Sequence, residues 1–169
     1  MSVETQGDGR LEAHGAAAMV GTGDLPAGAR IAIVCSRYHS NVMQLLLDGA
    51  TAVANDQGVP CDVIYAEGAF ELGLLSLEAA KTGRYVGVAA LGCVIRGDTS
   101  HYDYVCSETA RGILSAGLGT GIPVAFGLIT CETAEQAFAR AGGGAGNKGA
   151  EAVSTAIETA RTLVAIRSA

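Results

Sequence analysis

The chain has 169 residues, 49% apolar and only 17% charged, with a formal net charge of −6. This length favours one domain with a full hydrophobic core. The acidic balance argues against nucleic-acid binding, which calls for a basic stripe, and no apolar run approaches the length of a membrane span.

Residues 1–29 are Gly- and Ala-rich without a steady period and read as a flexible N-terminal tail. They lack the basic start and apolar core of a secretion signal. One domain is expected over residues 30–169. Ile31 to Cys35 is a short apolar strand. Ser40 can cap a helix to about Asn55, with Val42, Leu45, Leu46 and Ala50 on one face, before Gly58 and Pro60 stop it. Asp62 to Ala66 is a second strand, followed by a turn at Gly68 and a helix from Ala69 to about Lys81. Tyr85 to Val94 reads as a third strand. Tyr102 to Leu118 reads as a helix with Val105, Ala110, Ile113 and Leu118 apolar. Val124 to Ile129 is a fourth strand, and Thr133 with Gln136 forms a capping box for a helix to Arg140. Gly142 to Asn147 is a loop, and the last helix runs from Lys148 to about Arg167, with Val153, Ile157 and Leu163 spaced for one face. Strands alternating with helices imply a mostly parallel sheet covered on both faces. In such sheets ligands sit beyond the carboxyl ends of the strands.

The residues with chemical character follow those ends. After the first strand comes Ser36-Arg37-Tyr38-His39, after the second Glu67 to Glu71, after the third Cys93 to His101, and Phe126 is assigned to the fourth. The third of these carries the most. In Arg96-Gly97-Asp98-Thr99-Ser100-His101 a Gly-bearing turn feeds a helix start, where free backbone N–H groups favour an anion. A histidine there puts an acid/base group beside an anion cradle, which suits proton transfer on a phosphorylated substrate. The bland reading, a histidine that only hydrogen-bonds at a helix start, is outweighed by the hydroxyl, backbone donors and imidazole gathered in one turn. Cations for such a ligand must be local, and Arg96, Arg140 and Lys148 are the candidates. The segment Arg140 to Lys148 is not a P-loop, because its glycine spacing fails and no strand precedes it. Tyr38 could stack on a planar heterocycle, or simply pack. The turn Gly68-Ala69-Phe70-Glu71 could bind a polar ligand edge, or be only a turn. Five cysteines, Cys35, Cys61, Cys93, Cys106 and Cys131, show neither a C-x-x-C pair nor metal spacing and read as reduced, mostly buried residues of a cytoplasmic protein.

Four segments in order, Gly68-Ala69-Phe70-Glu71, Ala90 to His101, Arg140-Ala141-Gly142 and Asn147 to Glu151, resemble the lumazine synthase (6,7-dimethyl-8-ribityllumazine synthase) family over about Arg30 to Leu163. The resemblance implies a flavodoxin-like three-layer α/β/α sandwich with a four-stranded, mostly parallel sheet. It implies a transferase of riboflavin biosynthesis that joins 5-amino-6-(D-ribitylamino)uracil to 3,4-dihydroxy-2-butanone 4-phosphate, releasing phosphate and water, with no metal and no organic cofactor. Carried over by position, Tyr38 stacks on the pyrimidine, Ala69, Phe70 and Glu71 meet the ribityl chain, and Cys93, Val94 and Ile95 grip the uracil edge. Asp98 and Thr99 match the turn at the butanone phosphate, His101 the acid/base residue, and Arg140 the phosphate-binding arginine, with Lys148 a supporting cation. Phe126 would line the pyrimidine pocket of a neighbouring subunit. Partners implied are the two small substrates and further copies of the chain, as a pentamer or a shell of sixty subunits; nucleic acid and membrane are not among them. Departures from the family pattern are His39 for a frequent asparagine, Glu67, Gly73 and Ser100 for prolines, and Tyr38 for phenylalanine. The alternatives are a paralogue that binds flavin or lumazine without turnover, and a flavodoxin-like module whose glycines only shape loops.

Overall fold

A computed structural model describes residues 19–169 of the chain. Its strands are β1 (Ile31–Ser36), β2 (Cys61–Ala66), β3 (Gly87–Ile95) and β4 (Val124–Cys131), joined by α1 (Ser40–Asp56), α2 (Leu72–Lys81) and α3 (His101–Thr120). After β4 come α4 (Ala134–Arg140), a two-stranded hairpin of β5 (Ala141–Gly143) and β6 (Gly146–Asn147), and α5 (Lys148–Ser168). The four long strands form one parallel sheet in the order β2-β1-β3-β4. Helices α1 and α5 cover one face and α2 and α3 the other, so the molecule is a three-layer α/β/α sandwich of flavodoxin-like arrangement. No helix among the described residues is long and apolar enough to cross a membrane.

The two-residue period of each strand divides the core. Ile31, Ile33 and Cys35 face α1 and α5, while Ala32 and Val34 face α2 and α3. The central strands are apolar on both sides because both faces are covered. Ile33, Leu46, Leu72, Leu91, Ile113 and Ile157 are fully buried, each stabilising the fold by about 2 kcal/mol relative to exposure.

Several expectations change in detail. Helix α2 starts at Leu72 rather than Ala69, because the Leu72 N–H bonds back to the Ala69 carbonyl in a turn. Ser40 does not cap α1; His39 holds the cap position in the left-handed region (φ 58°), and its carbonyl accepts from Val42 and Met43 N–H groups at 2.9 and 3.0 Å. Leu45, expected on the buried face of α1, is 42% exposed, and Met43 and Leu47 are buried instead. Leu118 of α3 is 78% exposed, while Thr109 and Ala116 go inward. The loop at 142–147 is a hairpin, with Gly142 (φ 118°) and Gly146 (φ 77°) supplying the backbone turns. Thr133 does cap α4, accepting from Gln136 N–H, but the Gln136 side-chain Oε1 reaches one residue further back, accepting from the Glu132 N–H. Gly73 lies where α2 crosses α3. A Cβ there would fall 2.8 Å from Gly112 Cα, so the two backbones touch only because both residues are glycine.

The expected tail falls, up to residue 18, outside the described residues. Residues 19–29 run in turns beside α5, where the Gly21 N–H donates to Thr162 Oγ1 at 2.9 Å and Leu25 packs on the core.

A cleft at the carboxyl ends of three strands

Strand β1 lies between β2 and β3; from β1 the chain moves on to β2 at one side, and from β3 to β4 at the other. Such a switch point opens a crevice beyond the strand ends. Here it is a cleft of about 670 Å³, in the range of small-molecule sites.

Each wall is built by the residues that end a strand. Strand β1 is extended by one bond, from the Arg37 N–H to the Ala66 carbonyl (2.9 Å), and then must turn sharply into α1. The left-handed His39 makes that turn at a backbone position unusual for any residue with a Cβ, the only such non-glycine among the described residues. It leaves Tyr38 68% exposed over the cleft, with the His39 ring edge-on to it at 4.8 Å. After β2, the Gly68 N–H donates to Glu71 Oε2 (3.1 Å), curling the turn so that Phe70 stands 60% exposed at the rim while Ala69 is buried. The end of β3 supplies Cys93, Val94 and Ile95 as the floor. Gly97 and Thr99 follow, and His101 opens α3.

The expected residues Tyr38, Ala69, Phe70, Glu71, Cys93, Val94, Ile95, Thr99 and His101 therefore meet in one cleft. Asp98 sits in the same turn, exposed, but does not line the cleft. Three others lie away from it. Phe126 is the third residue of β4, opposite Ala90 on an edge strand and 53% exposed, so it is not at that strand's carboxyl end. The strand runs two residues past the expected Ile129, to Cys131. Arg140 ends α4, its Nη1 donating to the Gln136 carbonyl at 3.0 Å, and has no carboxylate within ion-pair distance among the described residues. Lys148 is held by Glu151, at 2.9 and 2.7 Å to its two oxygens.

Arg96 changes role as well. Its guanidinium lies between two carboxylates, Glu132 (2.8 Å) and Asp103 (3.1 Å), and over the Tyr102 ring. Hydrogen bonds to those carboxylates, Asp103 first, raise its pKa above the ordinary arginine value. Its charge is already paired with these two carboxylates, and Arg96 does not line the cleft. No lysine or arginine is among the residues lining the cleft, whose ionisable groups are Glu71, His39, His101 and the weakly acidic Tyr and Cys side chains.

Burial pushes the Cys93 thiol up to about 12, with Cys131 adding a smaller push. It is a protonated, apolar part of the floor and not a nucleophile. The cleft also contains Tyr102, Tyr104 and Val105, which motif reading passed over. Helical spacing was the available signal for two of them: Tyr104 and Val105 stand three and four residues after His101 and share its face.

The model of the family described as 6,7-dimethyl-8-ribityllumazine synthase matches residues 28–164.

Proposed function

The chain belongs to the 6,7-dimethyl-8-ribityllumazine synthase family, and on that premise we propose that it condenses 5-amino-6-(D-ribitylamino)uracil with 3,4-dihydroxy-2-butanone 4-phosphate, releasing phosphate and water. The observation that carries the reading is the meeting of Tyr38, the 69–71 turn, the β3 end and His101 in one cleft. A planar pyrimidine fits against the Tyr38 ring, with its polar edge toward the backbone at Cys93, Val94 and Ile95. The ribityl hydroxyls extend toward the 69–71 turn, where Glu71 accepts hydrogen bonds.

The reaction follows from that placement. The amine of the uracil adds to the ketone, water leaves to give an imine, phosphate is eliminated, and the second amine adds to the carbonyl this unmasks and expels a second water to close the ring. Each stage moves a proton between nitrogen, carbon and oxygen, and one base at His101 serves several of them. Holding two reactants in line contributes a large share of the acceleration. The helix start at Thr99 to His101 faces the phosphate.

That phosphate also calls for a cation, and the lining of a single chain's cleft supplies none. Of the three candidate cations Arg96, Arg140 and Lys148, Arg140 is half-buried and without an acidic partner among the described residues. Its location outside the cleft supports a site shared between copies, in which Arg140 and Phe126 reach a neighbour's cleft. The exposed Leu114 and Leu118 of α3 (63% and 78%) and Phe126 are further surface that association would cover. The assembly we assign is a pentamer, with an icosahedral shell of pentamers as its larger form, acting in the cytoplasm; the short Arg140–Lys148 connection supports the shell.

The test is to mix the purified protein with both substrates and follow the coloured lumazine. Product that needs both substrates is expected. Tight pyrimidine binding without product would replace this reading with the non-catalytic paralogue. Light scattering of the same sample separates single chain, pentamer and shell.

A further inference from the structure

Between the end of β3 and the start of α3, residues 97–100 are exposed, and the one side-chain bond within this turn is a long one, from the His101 N–H to Thr99 Oγ1 at 3.4 Å. Such a turn does not fix His101 by itself. The side chain just before it does more. The backbone N–H of Arg96 donates to the Cys131 carbonyl at 2.9 Å, carrying the β3–β4 ladder one step beyond the sheet. Its Nε donates to Glu132 on the segment leaving β4, and its Nη2 to Asp103 in the first turn of α3. Its planar face covers the Tyr102 ring, with Cζ 4.0 Å from the centroid.

We infer that Arg96 is the positioning residue for His101: the guanidinium joins the ends of β3 and β4 to the first turn of α3 and so sets where the imidazole stands above the β3 floor. This deepens the reading given under Proposed function and rests on it for its kinetic consequence. Arg96 is not among the residues lining the cleft. Two of its three partners, Tyr102 and Asp103, lie one and two residues after His101 in α3, and the third, Glu132, follows the end of β4. A planar fork that bonds two carboxylates and stacks on a ring fixes both distance and angle, which an ammonium on a flexible stem cannot do. The pairs are partly exposed, so their weight in global stability is small. A shift of the imidazole by about an ångström, in contrast, is enough to cost as much as a hundredfold in rate.

The experiment compares Arg96→Met, Arg96→Lys and Asp103→Asn with the unaltered assembly. For Arg96→Met the turnover number should fall about tenfold to a hundredfold, while KM for the pyrimidine stays within about twofold because Tyr38 and the β3 floor are untouched. Arg96→Lys and Asp103→Asn should lie between. Added guanidinium ion should restore part of the rate to an Arg96→Ala enzyme, and methylammonium should not. Amide exchange of residues 101–104 should quicken in Arg96→Met while α5 stays protected. A variant with unaltered turnover number, or one whose rate loss tracks lowered thermal stability with no guanidinium rescue, overturns the inference. If the unaltered protein makes no lumazine, the functional reading has failed on its own; amide exchange at 101–104 then decides this inference, which falls if Arg96→Met leaves it unchanged.

Discussion

At the amino end of the sheet, Arg30, Asp62 and Tyr85 close on one another. Arg30 Nη2 lies 2.5 Å from Asp62 Oδ1, and the Tyr85 hydroxyl donates to Asp62 Oδ2 at 3.1 Å. At the carboxyl end, Tyr38, Phe70, Tyr104 and His101 stand around open space, and His39 holds a left-handed backbone angle at the rim. Both ends mix aromatic rings with ionisable groups. At the first, the polar atoms find partners within the chain and contribute stability. At the second, the rings face a cleft and await a ligand. A cluster that satisfies itself is structural, and one left open at a topological switch point is where chemistry belongs.

Removing the imidazole breaks the comparison most sharply. His101→Ala should keep the assembly and lower turnover by about a hundredfold or more, the usual weight of a positioned acid/base group. Steady-state kinetics beside light scattering checks both halves, and an unaltered rate would make the open end as inert as the closed one. The next largest effect is expected at Arg140. Arg140→Ala should raise KM for the phosphorylated ketone by about tenfold, the loss of a charge-assisted bidentate contact, and leave KM for the pyrimidine nearly unchanged. Mixed assemblies of His101→Ala and Arg140→Ala chains sharpen this further. Recovery of activity above that of either variant is expected if one cleft draws on two subunits, and its absence would confine Arg140 to its own chain.

The closed end should respond in stability and not in rate. Tyr85→Phe removes one hydrogen bond and should cost about 1 kcal/mol by denaturant unfolding, with turnover unchanged. The hydrogen bond from Arg30 holds the Asp62 carboxyl below the ordinary carboxylate range, with Tyr85 adding to it. That contribution is complete above the ordinary carboxylate value and is lost as pH falls through the lowered one. The unaltered protein should therefore lose more thermal stability on acidification than Asp62→Asn does. Equal acid profiles would show that the cluster is not linked to folding.

The smallest effect is a matter of timing beneath the cleft. Burial keeps the Cys93 thiol protonated up to about 12, so iodoacetamide at pH 8 should label it only after unfolding, as mass spectrometry of its peptide would show. Above the ordinary thiol value the unfolded chain ionises first, so this buried thiol weakens the fold as pH rises toward about 12. Rapid labelling of the folded protein would mean that the floor of the cleft opens.

The amino-acid order by itself determined the alternation of strands and helices, because apolar period and turn residues are local properties. It also gave the parallel, doubly covered sheet, and it marked the turns after β1, β2 and β3 as the places for chemistry. Tertiary structure decided what depends on distances between residues far apart in the chain. Arg96, Arg140 and Lys148 are alike as sequence, and only the fold gives Arg96 to Glu132 and Asp103, Lys148 to Glu151, and leaves Arg140 without an acidic partner among the described residues. Leu45 and Leu118 have the spacing of core residues but face outward, since a helix is buried only where a neighbour covers it. His39 took the cap position from Ser40 because the strand had to turn within three residues, a demand set by where β1 ends and α1 must pack. Periodicity fixes which residues form an element; the covering layers and the paired charges fix what each side chain is free to do.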